Sequence, residues 1–412
     1  MRILVISQMF PCKRHPTSAI FFANLMYELA PKVEQIIVVT PRVYIPKCLI
    51  KYKESWSKWY MDSMVSHENG ILIIRPYVLS LTGGKMAGLN ALLMQICLYP
   101  LLKRIIQENR IEIILGYNMI PEGIVAVNLS RMFKLPVGCW IIGSDIHSIA
   151  IINRLNLFLT RKSLESSDMV FSESKDLERT ALKLSNKGVK IKTFYKGIKA
   201  SEFIKRAESK SALAELGLNN DKKYLLFVGR LIRTKGILEV VKSFIKIAKY
   251  STQYELIMIG EKIEINTILS MLRDSMLLDR VHFKGILSYE EVAKYMRACD
   301  VLVFPSWSEG LPNVVMEAMA SGLPVVTSDV GGITEIVHNG ITGIAVPPKQ
   351  VSILTKAILR MINDENLKRN CTKNAMKLIS NEFDVSKNVN KLIMYLQSIK
   401  NEKKIDKKST AS

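Results

Sequence analysis

The stretch Phe304-Pro-Ser-Trp-Ser-Glu-Gly-Leu-Pro-Asn-Val-Val-Met-Glu-Ala-Met-Ala-Ser-Gly-Leu-Pro-Val-Val326 reads as a strand end, a loop, a helix and the start of the next strand. The apolar run Val301–Pro305 supplies the first strand, and a helix starts around Asn313. The first amides of a helix have no intrahelical acceptor and its N-terminus carries partial positive charge, so this junction is suited to an anion. Two carboxylates flank it: Glu309 in the loop, and Glu317 eight residues on, in the second helical turn. Glu309 is placed to reach a polar ligand lying over the helix N-terminus, and Glu317 a second part of that ligand. Amid the apolar Val314–Ala320, Glu317 has little other reason to be charged.

A second segment, Gly229-Arg-Leu-Ile-Arg-Thr-Lys-Gly236, follows the strand Tyr224–Val228, and Gly236 opens a helix. Arg230 and Lys235 therefore belong at the carboxyl edge of a parallel sheet, where α/β folds bind ligands. A pair of cations there suits a diphosphate. Two basic residues in a loop are a weak signal alone; beside the Glu309 helix they become a strong one.

Outward from these segments the chain alternates short Val/Ile/Leu runs with helical patterns. Arg2–Ser7, the helical Ser18–Ala30 and Ile36–Thr40 make a β-α-β opening, and further runs follow at Ile71–Ile74, Ile111–Leu115, Val137–Ile142 and Met169–Ser172. The pattern restarts at Tyr224 and continues through Glu255–Ile259, Val281–Lys284, Val301–Pro305, Pro324–Thr327 and Gly343–Val346. Unbroken apolar strands between helices predict parallel sheets covered on both faces. The expected fold is α/β, with two facing Rossmann-like doubly wound domains and the ligand cleft between them. Residues 1–200 form the first, residues 201–380 the second, 381–400 a C-terminal helix packing back on the first, and 401–412 a frayed basic tail. The polar, charged Ala200–Lys222 suits an interdomain connection.

The 412 residues are 48% hydrophobic and 23% charged, a globular balance that excludes a multi-span membrane protein. The apolar Met86–Leu102 contains Asn90, Gln95 and Pro100 and reads as a buried or interfacial helix. The formal net charge is +21, which implies anionic partners without naming them. No nucleic-acid motif accompanies it, and nucleic acid is not an expected partner. The six cysteines form no C-x-x-C pair, so a zinc or redox site is not expected, and a reducing, cytoplasmic compartment fits best.

The pattern G-R-L-x-x-x-K-G followed by F-P-S-x-x-E-G-x-P-x-x-x-x-E-A-M-A-x-G-x-P-V-V resembles the retaining glycosyltransferases of family 4, which have the GT-B fold. The likeness covers roughly Tyr224–Pro347 and includes Gly260, Phe283-Lys-Gly285, Gly331-Gly332 before Glu335, and Gly340-x-x-Gly343. It implies a nucleotide-diphosphate sugar held mostly by the C-terminal domain and a hexose transferred to a hydroxyl. Carried over, Arg230 and Lys235 bind the diphosphate and neutralise the leaving group, Glu309 binds the sugar hydroxyls and Glu317 the ribose. The amides of Asn313 and Val314 meet the phosphates, while Gly229, Gly260 and Glu261 line the donor pocket. The chain has no Asp-x-Asp triplet. Fixed cations and a helix dipole can do a metal's work on the departing diphosphate, so no metal and no other cofactor is expected.

The N-terminal half departs from the family pattern. In the segment His15–Phe21, Ala19 stands where glycine is common; Tyr117 replaces a histidine four residues before Pro121; Ile142 precedes Gly143-Ser-Asp145 where His or Arg is usual. Asp145 either points at the ligand from the sheet edge or caps the following helix. His147 is a partial substitute for the missing histidine or a structural residue, and His15 is loop-located. Lys47–Tyr60 mixes four lysines with Trp56, Trp59 and Tyr60, a combination suited to an anionic membrane surface or, equally, to a loop packed on its domain. The expected acceptor is a cell-envelope glycan or its lipid-linked precursor, handled at the inner face of the cytoplasmic membrane. A small soluble acceptor, or sugar-nucleotide binding without transfer, are the other readings.

Overall fold

The computed structural model describes residues 1–12, 18–46, 63–81, 83–203 and 209–409; His15 and the Lys47–Tyr60 stretch lie outside them. The chain forms two compact units: Met1–Lys196 together with Val385–Ser412, and Gly197–Asp384.

The first unit is built on an eight-stranded sheet in the order β10-β9-β8-β7-β1-β2-β5-β4. Its strands are β1 (Arg2–Ile6), β2 (Gln35–Val39), β4 (Val65–Glu68), β5 (Ile71–Ile74), β7 (Ile113–Tyr117), β8 (Val137–Ile141), β9 (Met169–Ser172) and β10 (Ile191–Thr193). A two-stranded pair, β3 (Arg42–Val43) and β6 (Tyr77–Val78), stands beside it. β4 pairs antiparallel with β5; the other pairings are parallel. β7, β8 and β9 are buried at every position, which is why they read as unbroken apolar runs.

Alternate residues feed two cores. Leu4, Ile6, Ile37 and Val39 point to the layer made by α2 (Ala87–Glu108), α3 (Ile124–Phe133), α4 (Arg154–Ser166) and α5 (Lys175–Leu184). Ile3, Val5, Ile36 and Val38 point to α1 (Ile20–Leu29) and the C-terminal helix Val385–Ser409. That helix buries Val385, Val389, Leu392, Leu396 and Ile399, a stripe at helical spacing. The basic tail expected to fray from residue 401 is instead helical to Ser409. Lys400 pairs with Glu112 at 2.5 Å and Lys403 with Asp168 at 2.9 Å, so its lysines find carboxylates on the unit they cover.

The second unit is a six-stranded, all-parallel sheet in the order β13-β12-β11-β14-β15-β16. Its strands are β11 (Lys223–Val228), β12 (Tyr254–Ile259), β13 (Val281–Gly285), β14 (Val301–Phe304), β15 (Val325–Ser328) and β16 (Ile344–Val346). Helices α6 (Ile237–Ala248), α7 (Ile265–Asp274), α8 (Tyr289–Ala298), α9 (Asn313–Ala320), α10 (Val351–Asn363) and α11 (Glu365–Glu382) connect and cover them. The stretch read as an interdomain connection belongs to this unit's body. It forms the short helices Ala200–Phe203 and Ser209–Glu215, and buries Phe203, Ala212 and Leu213. Ala200 is buried as well, and such apolar side chains fasten an otherwise polar segment, with Phe203 edge-on to Tyr289 at 4.8 Å between ring centroids.

Both sheets are doubly wound. Strand order reverses between β1 and β7 in the first unit and between β11 and β14 in the second, and loops at the carboxyl ends of those strands are where such folds hold ligands.

Candidate active site

In the second unit the two loops at the switch point are tied to each other. The β11 loop carries Arg230 and Lys235, and the β14 loop carries Glu309. Trp307 N–H donates to the Thr234 carbonyl at 2.9 Å, and the Ser306 hydroxyl donates to the same oxygen at 3.1 Å. Gly236 lies at φ +75°, and a Cβ there would sit 2.1 Å from the Pro305 carbonyl oxygen, so only glycine lets the loops approach this closely. The same holds at the next loop: a Cβ on Gly260 (φ +141°) would meet the Gly229 carbonyl oxygen at 1.9 Å. Leu231 N–H then donates to the Glu261 carbonyl at 2.9 Å, which holds the β12 loop against the β11 loop. Glu309 is fixed from its other side by Gly332 N–H, which donates to the Glu309 carbonyl at 3.2 Å.

The loops bring the predicted residues together. Lys235 Nζ lies 2.5 Å from Glu309 Oε1, both groups being mostly shielded from solvent, and 5.7 Å from the centre of the Phe304 ring. Arg230 and Glu261 are exposed on the same edge. α9 starts directly after this loop, and it starts bare. The described helices beginning at Arg154, Lys175, Tyr289 and Glu365 are capped by the side chains of Asn153, Ser174, Ser288 and Asp364, whereas those beginning at Ile20, Ala87, Ile124, Ile237, Ile265 and Val351 have no side-chain cap. α9 follows Pro312, which has no capping side chain. Val315 and Met316 donate to the Pro312 carbonyl, and the amides of Asn313 and Val314 are left for an anion. Glu317 is buried within α9, 6% exposed, and burial alone pushes its carboxyl up to about 8. At neutral pH it is a protonated acid able to donate as well as accept a hydrogen bond.

The first unit's switch point is arranged differently from the expectation. Asp145 is fully buried, and its carboxylate accepts from the amides of Gly143 (2.9 Å), Met119 (3.1 Å), Ile146 (3.1 Å) and Ile142 (3.3 Å). It pins the β7 and β8 loops together instead of presenting itself to a ligand, and burial holds it at about 6 despite those donors. Tyr117 is likewise internal: its ring stacks on Phe22 at 3.8 Å between centroids, and its hydroxyl donates to Glu173 at 3.1 Å and accepts from Lys196 at 2.7 Å. Lys196 and Glu173 form a largely buried ion pair at 2.5 Å. His147 lies at the surface, 3.6 Å from Asp176, apart from these groups. Ala19 caps α1 in the left-handed region at φ 45°, ψ 36°, a conformation that favours the glycine common at this place.

Three charged residues here escaped the sequence reading. Glu173 follows β9 directly, by the same logic that singled out Asp145. Lys196 follows β10, whose three residues are too short to read as a strand. Glu122, buried and pushed up to about 7, accepts from the Gln8 amide at 2.9 Å and so bridges the β1 and β7 loops. Among the described residues no group of three or more His, Cys, Asp or Glu is placed to hold a metal ion.

Residues 208–378 match the family described as glycosyl transferases group 1. A putative teichuronic acid biosynthesis glycosyltransferase of Bacillus subtilis is 25% identical over 402 residues, spanning 97% of this chain and 99% of that protein. Among solved structures, sucrose-phosphate synthase from Thermosynechococcus elongatus shares the fold with a TM-score of 0.79 at 22% identity, over 97% of this chain and 99% of that one. HepE from Anabaena, solved in complex with UDP-glucose, gives 0.73 at 18% identity, over 97% of this chain and all of that one. The match covers the β11 and β14 loops and α9, the relative runs the length of both chains, and the fold is the GT-B fold: the second unit is similar to the group 1 glycosyltransferases, and the whole chain to a relative named as a glycosyltransferase.

Proposed function

We propose that the chain is a retaining family 4 glycosyltransferase that moves a hexose from a UDP- or GDP-linked donor to a hydroxyl of a cell-envelope glycan or its lipid-linked precursor. The observation that carries this reading is the convergence of Lys235, Arg230, Glu309 and the uncapped start of α9 on one sheet edge. A diphosphate placed there meets two cations and two open amides, the charge set that a leaving group needs. The envelope acceptor is supported by the whole-length relative named for teichuronic acid biosynthesis, and a UDP donor by the neighbour solved with UDP-glucose.

In this mechanism Glu309 hydrogen-bonds the donor sugar and Glu317 the ribose. The acceptor oxygen attacks the anomeric carbon from the face the diphosphate is leaving. The bond from that carbon to the phosphate oxygen breaks, and the same phosphate oxygen takes the acceptor proton, so no enzyme nucleophile is required. Arg230, Lys235 and the α9 amides stabilise the negative charge that accumulates on the diphosphate, in place of a metal. Acceptor recognition falls to the N-terminal unit, working in the cytoplasm at the membrane's inner face.

The test is turnover of UDP- and GDP-hexoses with envelope-glycan acceptors, reading the anomeric configuration of the product and repeating the assay with EDTA. A product of retained configuration and EDTA-resistant activity are expected. Inverted product, or activity abolished by EDTA and restored by Mg²⁺ or Mn²⁺, overturns the corresponding part. Transfer only to small soluble acceptors replaces the envelope acceptor.

A further inference from the structure

The first unit carries a surface that the donor chemistry does not use. Helices α2, α3 and α4 pack side by side on one face of its sheet. Gly88 of α2 sits where a Cβ would meet Leu155 of α4 at 2.8 Å, and its amide donates to Asn156 Oδ1 at 2.9 Å, so the two helices are locked at close range. The inward stripe of α2, including Ala91, Met94, Leu98 and Leu102, is buried in the unit's own core. Its outward stripe is also apolar: Leu89, Leu92 and Ile96 are exposed at i, i+3 and i+7, Ile96 by 71%. Met132 of α3 (54%) and Leu155 and Phe158 of α4 (45% and 62%) extend the patch. α2 is long and apolar enough to cross a membrane, yet a third of its apolar window is buried in this unit's core, so its remaining face suits a place along a bilayer surface.

Cations surround the apolar side chains. Arg131 lines both a groove of about 580 Å³ shared with Ile96, Tyr99 and Met132, and a neighbouring groove of about 430 Å³ shared with Phe158. Arg154, Lys162 and Lys187 line the second groove as well. The one carboxylate among the lining residues, Glu165, is occupied by the Asn186 amide at 2.8 Å. Scattered exposed apolar residues need no explanation, but a contiguous set across three helices, edged by long cationic side chains, does.

We infer that the outer face of α2, α3 and α4 docks on an anionic lipid bilayer, the apolar side chains entering the headgroup region and Arg131, Arg154, Lys162 and Lys187 pairing with lipid phosphates. The partner is a lipid surface because the patch joins exposed apolar area to an excess of positive charge, Arg131, Arg154, Lys162 and Lys187 against the single carboxylate of Glu165, the two features that bind interfacial helices to anionic membranes. This deepens the envelope reading above, but it rests on the first unit alone. Vesicle binding is measured without donor or acceptor, so its failure leaves the transferase chemistry standing, and failure of transfer leaves the docking face standing.

The full chain is sedimented with equimolar phosphatidylglycerol–phosphatidylcholine vesicles and with pure phosphatidylcholine vesicles, at salt of about 0.1 M and about 1 M, between which the screening length falls from about 10 to about 3 Å. Binding to the anionic vesicles is expected, weakened but not abolished by high salt. Each cation near such a surface contributes about 5-fold, so a triple Arg154→Glu, Lys162→Glu, Lys187→Glu variant, which also adds three repelling charges, should lose at least about 100-fold in partitioning. Ile96→Asp with Phe158→Asp should remove the salt-resistant part. Four of the five sites are exposed and Lys162 is half-buried, and an unchanged melting temperature verifies that each variant is folded. Wild-type protein that stays in the supernatant overturns the inference, as do folded variants that bind like wild type. Loss of binding confined to a Lys51→Glu, Lys53→Glu, Lys58→Glu variant assigns the membrane contact to the sequence between Lys47 and Tyr60 and overturns it too. A dimer in sedimentation equilibrium that Ile96→Asp with Phe158→Asp splits makes the face a contact between two copies, which also contradicts it.

Discussion

Lys235 and Glu309 close an ion pair of 2.5 Å across the point where the second sheet reverses its strand order. Each is delivered by a different strand, β11 and β14, and the pair forms because the two loops share hydrogen bonds through Thr234. In this pair the residue proposed to hold a phosphate is neutralised by the residue proposed to hold the sugar. A donor must then take Lys235 away from Glu309, replacing one anion with another.

This pairing makes Glu309→Gln informative in two directions. The substitution removes a sugar contact, and also the charge that competes with phosphate for Lys235. Turnover should fall about 10- to 100-fold, since a charged hydrogen bond aimed at the reacting sugar contributes roughly 1.5–3 kcal/mol and carries the geometry of transfer. UDP affinity should stay level or tighten. Steady-state kinetics beside calorimetric titration with UDP reads both, and a variant that binds UDP far more weakly while turning over normally contradicts the assignment.

Glu317 predicts a pH dependence of stability. Its carboxyl is raised from 4.5 to about 8 by burial, so the folded protein holds this proton where the unfolded chain has released it. The stabilisation of the protonated form is fully present below about 4.5 and is lost as pH rises through about 8. Glu317→Gln keeps the shape and has nothing to ionise. The melting temperature of the variant relative to wild type should therefore climb between pH 5 and pH 9. A difference that is flat across that range means that Glu317 is charged in the folded protein.

Much of the second unit was legible in the sequence because its signals are local. A strand that ends in glycine and a helix that starts after proline announce a ligand edge, and Arg230, Lys235, Glu309, Asn313 and Glu317 all follow from that logic. The first unit was harder because its switch point is assembled from residues distant in sequence. Gln8 meets Glu122, Met119 meets Asp145, and Tyr117 meets Glu173 and Lys196 only once the sheet has formed. Asp145 read equally as a ligand-facing acid or a helix cap, because position after a strand gives the edge but not the direction of the side chain. The fate of Lys400 and Lys403 was hidden for the same reason, since their partners Glu112 and Asp168 lie far away in sequence.

Ala19 tests the backbone reading of the first loop. It sits at φ 45°, ψ 36°, where an L-residue costs about 1–2 kcal/mol, against about 0.5–1 kcal/mol for the greater freedom glycine has when unfolded. Ala19→Gly should thus stabilise the protein by on the order of 0.5–1 kcal/mol. Chemical denaturation measures it, and a destabilised variant shows that the Ala19 methyl is worth more in packing than its backbone costs.

The central claim is that Arg230 and Lys235 hold the diphosphate of a sugar nucleotide, and titration calorimetry with UDP and GDP tests it most directly. Each charge-assisted hydrogen bond contributes roughly 1.5–3 kcal/mol, so Lys235→Ala and Arg230→Ala should each weaken binding of the preferred nucleotide about 10- to 100-fold. Uridine and guanosine, which lack phosphates, should bind wild type and variants alike. Unchanged UDP and GDP affinity in both variants would contradict the account.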